Sequence, residues 1–311
     1  MKNLNLFLTK SLLIFVFITF ISCNKDETND PNAQLEYSEQ LNVSYGPNER
    51  HKMDVYLPEN RTSETKVVVA VHGGGFFTGN KEDINMPVAK LVENGYAVIN
   101  INYRLVDTTG VFQEPILHQP SDITISEQLD DIGLAIDFAL GQTNDWTVSQ
   151  NKWAVFGHSA GATLSLLYTH SDHNNDGRIK AVGNLAGALD FSFNDESEFD
   201  LLDPRLVELI ARAIGAEPIN GNQLAYMAKS PYWVTFNDDN PEPTINIRPE
   251  NDDLSPDGGA DIFSAYTDLL NDKGGPNQYI IVLGADHGFS QAGKWQEAAQ
   301  NLSDFFAVQI Q

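Results

Sequence analysis

The chain has 311 residues, which is enough for one large α/β domain or two small ones. Hydrophobic residues make up 41% and aromatic residues 10% of it, as in globular proteins that bury a core. The formal net charge is −24, from 43 acidic and 19 basic residues. Such a surface repels nucleic acids and anionic lipid headgroups, so we expect no nucleic-acid partner.

The amino terminus has the pattern of a bacterial export signal. Two lysines flank the start of an apolar run at residues 11–21, which is too short to span a bilayer comfortably and is typical of a signal peptide. The run ends at Cys23, the only cysteine in the chain, so no intramolecular disulfide can form. A cysteine in this place resembles the acylated cysteine of bacterial lipoproteins. We therefore predict a signal peptide at 1–22, a lipidated flexible tether at 23–36 and a folded domain at 37–311.

The sequence of the tether indicates where in the cell the protein is located. Its first residues are a lysine followed by acidic and polar residues, which resembles a signal that sends lipoproteins of some Gram-negative bacteria to the outer surface. Removal of residues 1–22 also removes Lys2 and Lys10, which makes the mature chain more acidic still. We expect a surface-exposed outer-membrane lipoprotein of the cell envelope, attached to the membrane through a lipid on Cys23. Secretion or a periplasmic location is the alternative.

Beyond the tether, strand and helix patterns alternate. Residues 40–45 and 51–59 alternate polar and apolar side chains around the turn sequence GPNER and predict an antiparallel hairpin. Six later segments have strand composition, among them continuous apolar runs typical of strands buried on both faces of a parallel sheet: 66–72, 95–103, 153–157, 179–187, 243–249 and 278–284. Helical patterns fall between or after them, at 84–94, 126–140, 160–170, 261–271 and from about 292. This order predicts an α/β fold with a mostly parallel twisted sheet, opened by an antiparallel hairpin and covered by helices on both faces.

Residues from about 191 to 240 break this alternation. They are rich in Asp, Asn, Pro and aromatic residues and contain one helical stretch, 204–215. An insertion of this length between two strands predicts a lid over the carboxyl edge of the sheet. Near its end, Tyr232, Trp233 and Phe236 are candidates to line an acyl or aryl pocket, although aromatic residues in a packed lid are as often part of the core.

The sequence HGGG at residues 72–75 closes the first buried strand. Three consecutive glycines give up packing and increase the backbone entropy lost on folding, so this loop must need bare backbone. It is not a phosphate-binding loop, because Gly79 is followed by Asn80 and not by the lysine and hydroxyl residue of that motif. It is not a dinucleotide-binding loop either, since no G-x-G-x-x-G opens a helix here. The remaining interpretation is a loop whose amides hold an oxyanion.

A second motif, GHSAG at residues 157–161, lies between a predicted strand and a predicted helix. The pattern G-x-S-x-G in this context is typical of a nucleophile elbow, whose tight turn exposes the serine Oγ at the edge of the sheet. The following helix directs the positive end of its dipole at the reacting centre. Ser159 is therefore the candidate nucleophile.

The two motifs together resemble an α/β-hydrolase of the HGGG-type carboxylesterase group, related to hormone-sensitive-lipase-like esterases and to bacterial acetyl or feruloyl esterases. The similarity extends over most of residues 38–311 and includes DVYLPE, HGGGFFTGNK, INYRL, GHSAGA and GADHGF. The resemblance implies that the amides of Gly74, Gly75 and Ala160 bind the oxyanion. It also implies a reaction that needs no metal or organic cofactor.

The base follows from the chain order of this fold, which is nucleophile, acid and then histidine. Of the seven histidines, His170, His173 and His287 follow Ser159. The first two lie on the elbow helix or just beyond it and cannot easily swing back, whereas His287 stands where the family has its base. Its neighbour Asp286 is interpreted as a surface carboxylate.

The acid is less narrowly defined. When residues 245–259 are compared with the strand–loop–acid pattern of the family, Asp252 takes the acid position and Pro256 stands where the family has a proline. Glu250, Asp253 and Asp257 are close enough in sequence to compete for this role.

One further motif could indicate a metal. Asp172, Asn174 and Asp176 stand at positions one, three and five of a calcium-loop pattern, with Gly177 at position six. Position twelve is Gly183, so the bidentate glutamate is missing. We interpret the segment as a polar helix-to-strand connection, with calcium as a weak alternative.

The resemblance implies a serine carboxylic-ester hydrolase that acts through Ser159, His287 and Asp252. Its expected substrates are small-molecule or polysaccharide-linked esters, either short-chain acyl esters or acetyl and feruloyl esters. Arylformamide or peptide hydrolysis on the same residues is the enzymatic alternative. A non-catalytic surface binding protein on the hydrolase scaffold is the alternative from another class, but such proteins typically lose the serine, the base or the glycine loop.

Overall fold

Eight strands form one sheet in the part of the chain that the computed structural model describes, residues 35–254 and 260–311. In chain order the strands are β1 (Ser38–Ser44), β2 (Lys52–Leu57), β3 (Val67–Val71), β4 (Ala97–Ile101), β5 (Trp153–His158), β6 (Ile179–Leu185), β7 (Thr244–Asn251) and β8 (Asn277–Asp286). Across the sheet their order is β1-β2-β4-β3-β5-β6-β7-β8. The predicted signal peptide, Cys23, Pro256 and Asp257 lie outside the described residues.

The strand directions confirm the predicted sheet. β1 pairs antiparallel with β2, and β2 pairs antiparallel with β4. From β4 to β8 all neighbouring strands are parallel. Parallel strands bring their carboxyl ends to one edge of the sheet, and loops from several strands meet there.

Nine α-helices are present in the described residues. They are α1 (Asn85–Glu93), α2 (Ile125–Leu140), α3 (Thr143–Trp146), α4 (Ala160–Thr169), α5 (Pro204–Ile214), α6 (Gln223–Met227), α7 (Pro231–Asn237), α8 (Ala260–Asp272) and α9 (Lys294–Gln309). Short 3-10 turns occur at 81–84, 172–174 and 196–201. None of the helices in the described ranges is long and apolar enough to cross a membrane.

The helices cover both faces of the sheet, as predicted. All five residues of β3 are buried, and successive side chains enter two separate cores because strand side chains alternate between faces. Val67, Val69 and Val71 belong to the core that includes residues of α2, α4 and α8. Val68 and Ala70 belong to the core that includes residues of α1 and α9. The central strands are thus fixed from both sides, which gives the loops at their carboxyl ends a rigid base.

The insertion at 191–240 contains more helix than the single stretch that its sequence predicts. Besides α5 it holds α6 and α7, whose five and seven residues are too few to show a clear hydrophobic period. On α5, the buried side chains of Glu208 and Arg212 form an ion pair. The Arg212 guanidinium also donates to three main-chain oxygens of the segment 107–117. The insertion is therefore attached to the long connection between β4 and α2.

Candidate active site

The turn between β5 and α4 holds Ser159 in a strained conformation. Its φ and ψ are 53° and −126°, a combination that non-glycine residues avoid. The flanking glycines leave no room for a side chain, since a Cβ on Gly157 would lie 2.2 Å from the main chain of Gly161. A Cβ on Gly161 would lie 2.2 Å from the main-chain oxygen of Val71. The two glycines therefore let the turn close against β3 and hold the serine at the carboxyl ends of the strands.

His287 lies between this serine and a carboxylate. Its Nε2 is 2.9 Å from Ser159 Oγ, and its Nδ1 is 2.9 Å from Asp252 Oδ1. One neutral tautomer satisfies both contacts: Nδ1–H donates to Asp252, and the unprotonated Nε2 accepts from the serine hydroxyl. A nucleophile, a base and an orienting carboxylate in this arrangement have the geometry of a catalytic triad.

The three side chains differ in their access to solvent. The side chain of Asp252 is 1% exposed and that of His287 is 15% exposed. Asp252 Oδ1 also accepts a hydrogen bond from the amide of Leu254, at 3.1 Å. The carboxylate is thus held in place by the turn that carries it, while the histidine and serine remain open to a substrate.

The other carboxylates considered from the sequence do not reach His287. Glu250 and Asp253 are exposed, and Glu250 accepts from the amide of Gly284 on β8. Asp257 lies outside the described residues. Within the described residues, therefore, Asp252 alone among the competing carboxylates contacts the histidine.

The other histidines that follow Ser159 in sequence, and the carboxylate beside the base, lie outside the triad. His170 caps the carboxyl end of α4 and His173 follows it, and a ten-residue helix places that end ~15 Å from Ser159. Asp286 accepts hydrogen bonds from the amide and the hydroxyl of Ser290, which closes the turn that carries the base. None of these three groups takes part in the triad geometry.

The three amides proposed for the oxyanion are available. In the described part of the chain, the N–H groups of Gly74, Gly75 and Ala160 donate to no other protein group. The peptide group is planar, so the direction of each N–H is set by whatever holds the carbonyl of the same peptide unit. All three of these carbonyls are held.

The Gly74 amide shares its peptide unit with the oxygen of Gly73. That oxygen lies 2.6 Å from Nδ1 of His72, the first residue of the HGGG sequence. Gly74 has a φ of 114°, and a Cβ there would lie 2.2 Å from the oxygen of Thr78. The position consequently requires glycine, as the sequence predicts for a loop built on bare backbone. The loop also lies close to the nucleophile, because a Cβ built on Gly73 would be 3.1 Å from Ser159 Cβ.

The other two amides are held in the same way. The Gly74 oxygen, in the peptide unit of Gly75, accepts from the amides of residues 77–78 at 3.2 and 3.0 Å. The Ser159 oxygen, in the peptide unit of the third amide, accepts from the amides of residues 162–163 at 2.9 and 3.1 Å. Donors that are oriented before a substrate arrives stabilise developing charge without further reorganisation.

His158 contacts both the main chain and the ring of the base, His287. The sequence analysis does not identify this role. Its Nε2 donates to the main-chain oxygen of His287 at 2.8 Å. Its ring packs against the rings of His287, Phe289 and Trp295. Burial lowers the pKa of His158 to about 4, so the ring is neutral at pH 7. The residue occupies the first variable position of G-x-S-x-G, where the motif itself carries no information.

Two further residues contact His72 and were likewise not identified from the sequence. Tyr103 stacks on the His72 ring at a centroid distance of 4.4 Å, and its hydroxyl donates to the His72 oxygen at 2.9 Å. Arg50, from the turn between β1 and β2, places Nη2 3.3 Å from His72 Nε2. Tyr103 is in the quoted INYRL sequence, but Arg50 is in a hairpin turn that offers no chemical motif.

The insertion meets the glycine loop through Phe191. Phe191 packs edge-on against Phe76, with ring centroids 6.1 Å apart. Tyr232 and Trp233 pack on each other, and Tyr232 belongs to the periphery of the core. Phe236 is 52% exposed at the surface. Among these side chains, Phe191 is the one that reaches the residue next to the proposed oxyanion donors.

Two residues of the calcium-loop pattern at Asp172, Asn174 and Asp176 make hydrogen bonds or ion pairs within the segment itself. The side chain of Asn174 makes two hydrogen bonds with the main chain of Ile179: its Nδ2 donates to the Ile179 oxygen at 3.0 Å, and its Oδ1 accepts from the Ile179 N–H at 2.9 Å. The Asp176 carboxylate pairs with the Arg178 guanidinium. No group of three or more His, Cys, Asp or Glu side chains in the described residues is arranged to hold a metal ion. The geometry thus favours the polar helix-to-strand connection, because two of the three proposed ligands are engaged within the segment itself.

Comparison with known proteins shows which family the chain matches. The BD-FAE family model matches residues 53–265. The chain is 26% identical over 234 residues to the probable carboxylic ester hydrolase LipM of Mycobacterium tuberculosis, which covers 71% of this chain and 50% of that protein. It is also 26% identical over 132 residues to the kynurenine formamidase of Salmo salar, which covers 42% of this chain and 39% of that protein. The chain thus spans half or less of the length of these relatives.

Solved structures share the architecture. A truncated carbohydrate esterase from gut microbiota superimposes with a TM-score of 0.66 at 20% identity, over 88% of this chain and 96% of that chain. At this level of identity the likeness concerns the fold. The predicted α/β-hydrolase fold is therefore confirmed.

Proposed function

Because the chain belongs to the BD-FAE family, we propose that it is a serine hydrolase of carboxylic esters. The observation that carries this proposal is the position of His287, whose two ring nitrogens lie 2.9 Å from Ser159 Oγ and 2.9 Å from Asp252 Oδ1. The name of the LipM relative, a probable carboxylic ester hydrolase, supports ester chemistry.

Acylation begins at the serine. As Oγ attacks the ester carbonyl carbon, His287 Nε2 accepts the hydroxyl proton and a new C–O bond forms. The imidazolium that results is stabilised by the buried carboxylate of Asp252, which also keeps the ring in its productive orientation. His287 then donates the proton to the departing alcohol oxygen, the ester bond breaks, and an acyl group remains on Ser159.

The carbonyl oxygen becomes negatively charged in the tetrahedral intermediate. The amides of Gly74, Gly75 and Ala160 would accept this oxygen, and each such donor stabilises the transition state by about 3 kcal/mol. In the second half-reaction, water attacks the acyl group while the same histidine accepts its proton. As the bond between the acyl carbon and Ser159 Oγ breaks, His287 gives this proton to Oγ, and the carboxylic acid product is released.

We propose short-chain acyl esters, or acetyl and feruloyl groups on polysaccharides, as substrates. The carbohydrate esterase among the structures of the same fold supports the polysaccharide-linked class. A chain exported to the cell surface would also meet such substrates.

A formamidase activity is the second candidate, and the match to a kynurenine formamidase favours it. The same serine, histidine and oxyanion amides could attack an aryl formamide, with an arylamine as leaving group. A non-catalytic binding protein would have no use for the strained Ser159 or its contact with His287, so this alternative has the weakest support.

The test is hydrolysis of p-nitrophenyl esters of increasing acyl length, with formanilide as the amide substrate. We expect the highest rates for acetate and butyrate. Ser159→Ala should lower kcat by roughly a thousandfold or more, without change in the thermal unfolding temperature. Activity of the folded Ser159→Ala variant would contradict the assigned nucleophile. Faster turnover of formanilide than of every ester would favour the formamidase, and a folded wild type inactive on all of them would favour the binding protein.

We also propose that the protein is a lipoprotein of the bacterial cell envelope, on the basis of the apolar run at 11–21 followed by Cys23. Expression in a Gram-negative host with an alkyne-labelled fatty acid should label the wild type and not Cys23→Ser. Protease treatment of intact cells would then distinguish surface exposure from a periplasmic location. Equal labelling of the two chains would contradict the assigned anchor.

A further inference from the structure

We propose, on the basis of the ester hydrolysis above, that Arg50 is a positioning residue for the oxyanion loop, because it selects the tautomer of His72 and thereby orients the Gly74 amide. Arg50 lies in the turn between β1 and β2 and faces Nε2 of His72, whereas the other ring nitrogen of His72 faces the Gly73 oxygen. It contacts none of the triad residues, so any effect that it has on catalysis must pass through the loop.

The turn that carries Arg50 is firmly attached to the rest of the domain. The next residue, His51, is buried and lies with Nε2 3.0 Å from Asp131 Oδ1 on α2. The other nitrogen of His51 accepts from the amide of Asn48 at 3.2 Å, so Nε2–H is the donor to the carboxylate. The Tyr45 ring stacks on His51 at a centroid distance of 5.0 Å. Arg50 therefore extends from a fixed point.

Three oxygen atoms fix the plane of the Arg50 guanidinium. Nε donates to the main-chain oxygen of Tyr103 at 2.7 Å, Nη1 to Asn80 Oδ1 at 3.2 Å, and Nη2 to the main-chain oxygen of Gly79 at 3.0 Å. A guanidinium is planar and rigid, so three acceptors on three sides leave it one orientation. In that orientation Nη2 also lies 3.3 Å from His72 Nε2.

This contact determines which nitrogen of His72 carries the proton. A guanidinium has donors only, so the nitrogen that faces it must be the acceptor, and the proton is on Nδ1. Nδ1–H then donates to the Gly73 oxygen at 2.6 Å. The other tautomer would oppose two N–H groups at Arg50 and two lone pairs at Gly73. Burial, with a smaller contribution from the Arg50 charge, lowers the pKa of His72 to about 4 and keeps the ring neutral at pH 7.

The hydrogen bond from His72 Nδ1–H to the Gly73 oxygen links Arg50 to the active site. In a planar peptide unit the C=O and N–H vectors are opposed, so holding the Gly73 oxygen holds the Gly74 N–H in the opposite direction. If the bond weakens, the peptide can rotate and this amide no longer points at the oxyanion. Because the charge on that oxygen develops in the transition state, the loss should appear in kcat and not in KM.

The kinetic test compares Arg50→Met with the matched control Arg61→Met. Arg61 likewise donates to main-chain oxygens, those of Glu36, Pro58 and Trp146, but has no contact with the glycine loop. With p-nitrophenyl acetate, Arg50→Met should lower kcat by roughly 10- to 100-fold and change KM by less than about threefold. Arg61→Met should change neither. Arg50→Lys keeps the charge with fewer aligned donors and should fall between wild type and Arg50→Met, which provides a second variant if the methionine variant does not fold.

The tautomer is tested separately from activity. Two-bond proton–nitrogen correlation spectra of protein labelled with 15N-histidine distinguish Nδ1–H from Nε2–H, and His72 can be assigned by its contacts with the Tyr103 ring. We expect the Nδ1–H tautomer in wild type and Arg61→Met, and a shift toward Nε2–H in Arg50→Met. Wild-type His72 in the Nε2–H form would overturn the inference, as would an unchanged kcat in folded Arg50→Met or an effect confined to KM.

These outcomes separate the two proposals. A wild type that hydrolyses no ester would refute the proposed function, while the spectra would still decide whether Arg50 selects the tautomer. An active wild type with a normal kcat in Arg50→Met would refute the inference alone.

Discussion

His158 Nε2 donates to the main-chain oxygen of His287 at 2.8 Å, so the residue before the nucleophile also holds the loop of the base. The ring of His287 is oriented by the Asp252 carboxylate, and its main chain is held by His158. The elbow and the base loop are 129 residues apart in sequence. This bond joins them beside the contact between His287 Nε2 and Ser159 Oγ, and movement of either segment would change the distance between those two atoms.

Two substitutions of His158 should distinguish the contribution of its hydrogen bond from the contribution of its side-chain packing. His158→Gln can still donate an N–H to the His287 oxygen, whereas His158→Leu removes the donor to that half-buried oxygen. We expect the leucine variant to lose about 1–3 kcal/mol of unfolding free energy and to lower kcat by roughly tenfold. The glutamine variant should remain close to wild type. Urea unfolding and hydrolysis of p-nitrophenyl acetate measure both effects, and equal losses in the two variants would contradict the role of the hydrogen bond.

Stability should decrease in mild acid because the folded protein keeps His72 and His158 in their neutral forms. Burial lowers the pKa of His72 and of His158 to about 4, against about 6.5 in the unfolded chain. Between these pH values the unfolded chain binds protons that the native state does not. The unfolding free energy should therefore be fully present above pH 6.5 and fall as the pH drops toward 4, by about 3 kcal/mol for each histidine.

The contribution of one histidine can be isolated. Urea unfolding at several pH values between 7.5 and 4.5 should show a smaller loss of stability in His158→Gln than in wild type, because the variant lacks one of the two groups. Carboxylates contribute to the acid response of both proteins and cancel in the comparison. Identical pH dependence in the two proteins would contradict the lowered pKa of His158 in the folded state.

Asp252 should matter far more than the carboxylates beside it. Asp252→Asn replaces the acceptor of His287 Nδ1–H with a group that can favour the wrong tautomer, and loss of this interaction lowers kcat by about 10⁴-fold in a comparable triad. Asp253→Asn and Glu250→Gln alter exposed side chains and should stay within about threefold of wild type. The measurement is kcat for p-nitrophenyl acetate. Comparable losses at positions 252 and 253 would mean that the acid is assigned to the wrong residue.

Gly161 should be far less tolerant of a methyl group than a glycine in ordinary helix. Gly161→Ala would place Cβ 2.2 Å from the Val71 oxygen, so either the elbow or β3 must move. We expect a loss of at least about 3 kcal/mol of unfolding free energy, or no folded protein. The control, Gly133→Ala on α2, places its Cβ 3.6 Å from the nearest neighbouring atom, which belongs to the Tyr168 ring. It should gain about 0.5–1 kcal/mol. Urea unfolding of a Gly161→Ala variant as stable as wild type would contradict the close approach.

The sequence by itself was enough to predict the fold and to single out Ser159 as the candidate nucleophile. Strand and helix patterns are local: the buried parallel strands appear as short apolar runs, and the longer helices show an amphipathic period. The G-x-S-x-G and HGGG motifs are also local, because each needs glycine for a turn or for a close approach of backbone within a few residues. The same reasoning failed for α6 and α7, which are too short to show a period.

The tertiary structure decided which side chains assist these motifs. Four carboxylates lie between residues 250 and 257, at the end of β7 and just after it. Among those in the described residues, only the folded conformation shows that Asp252 is the one that reaches His287. Arg50 and His72 are 22 residues apart, and their contact depends on how the hairpin turn packs behind the glycine loop. A hydrogen bond requires two atoms to meet within about 3 Å at a suitable angle. Such a meeting between distant segments depends on packing, which no local pattern of residues records.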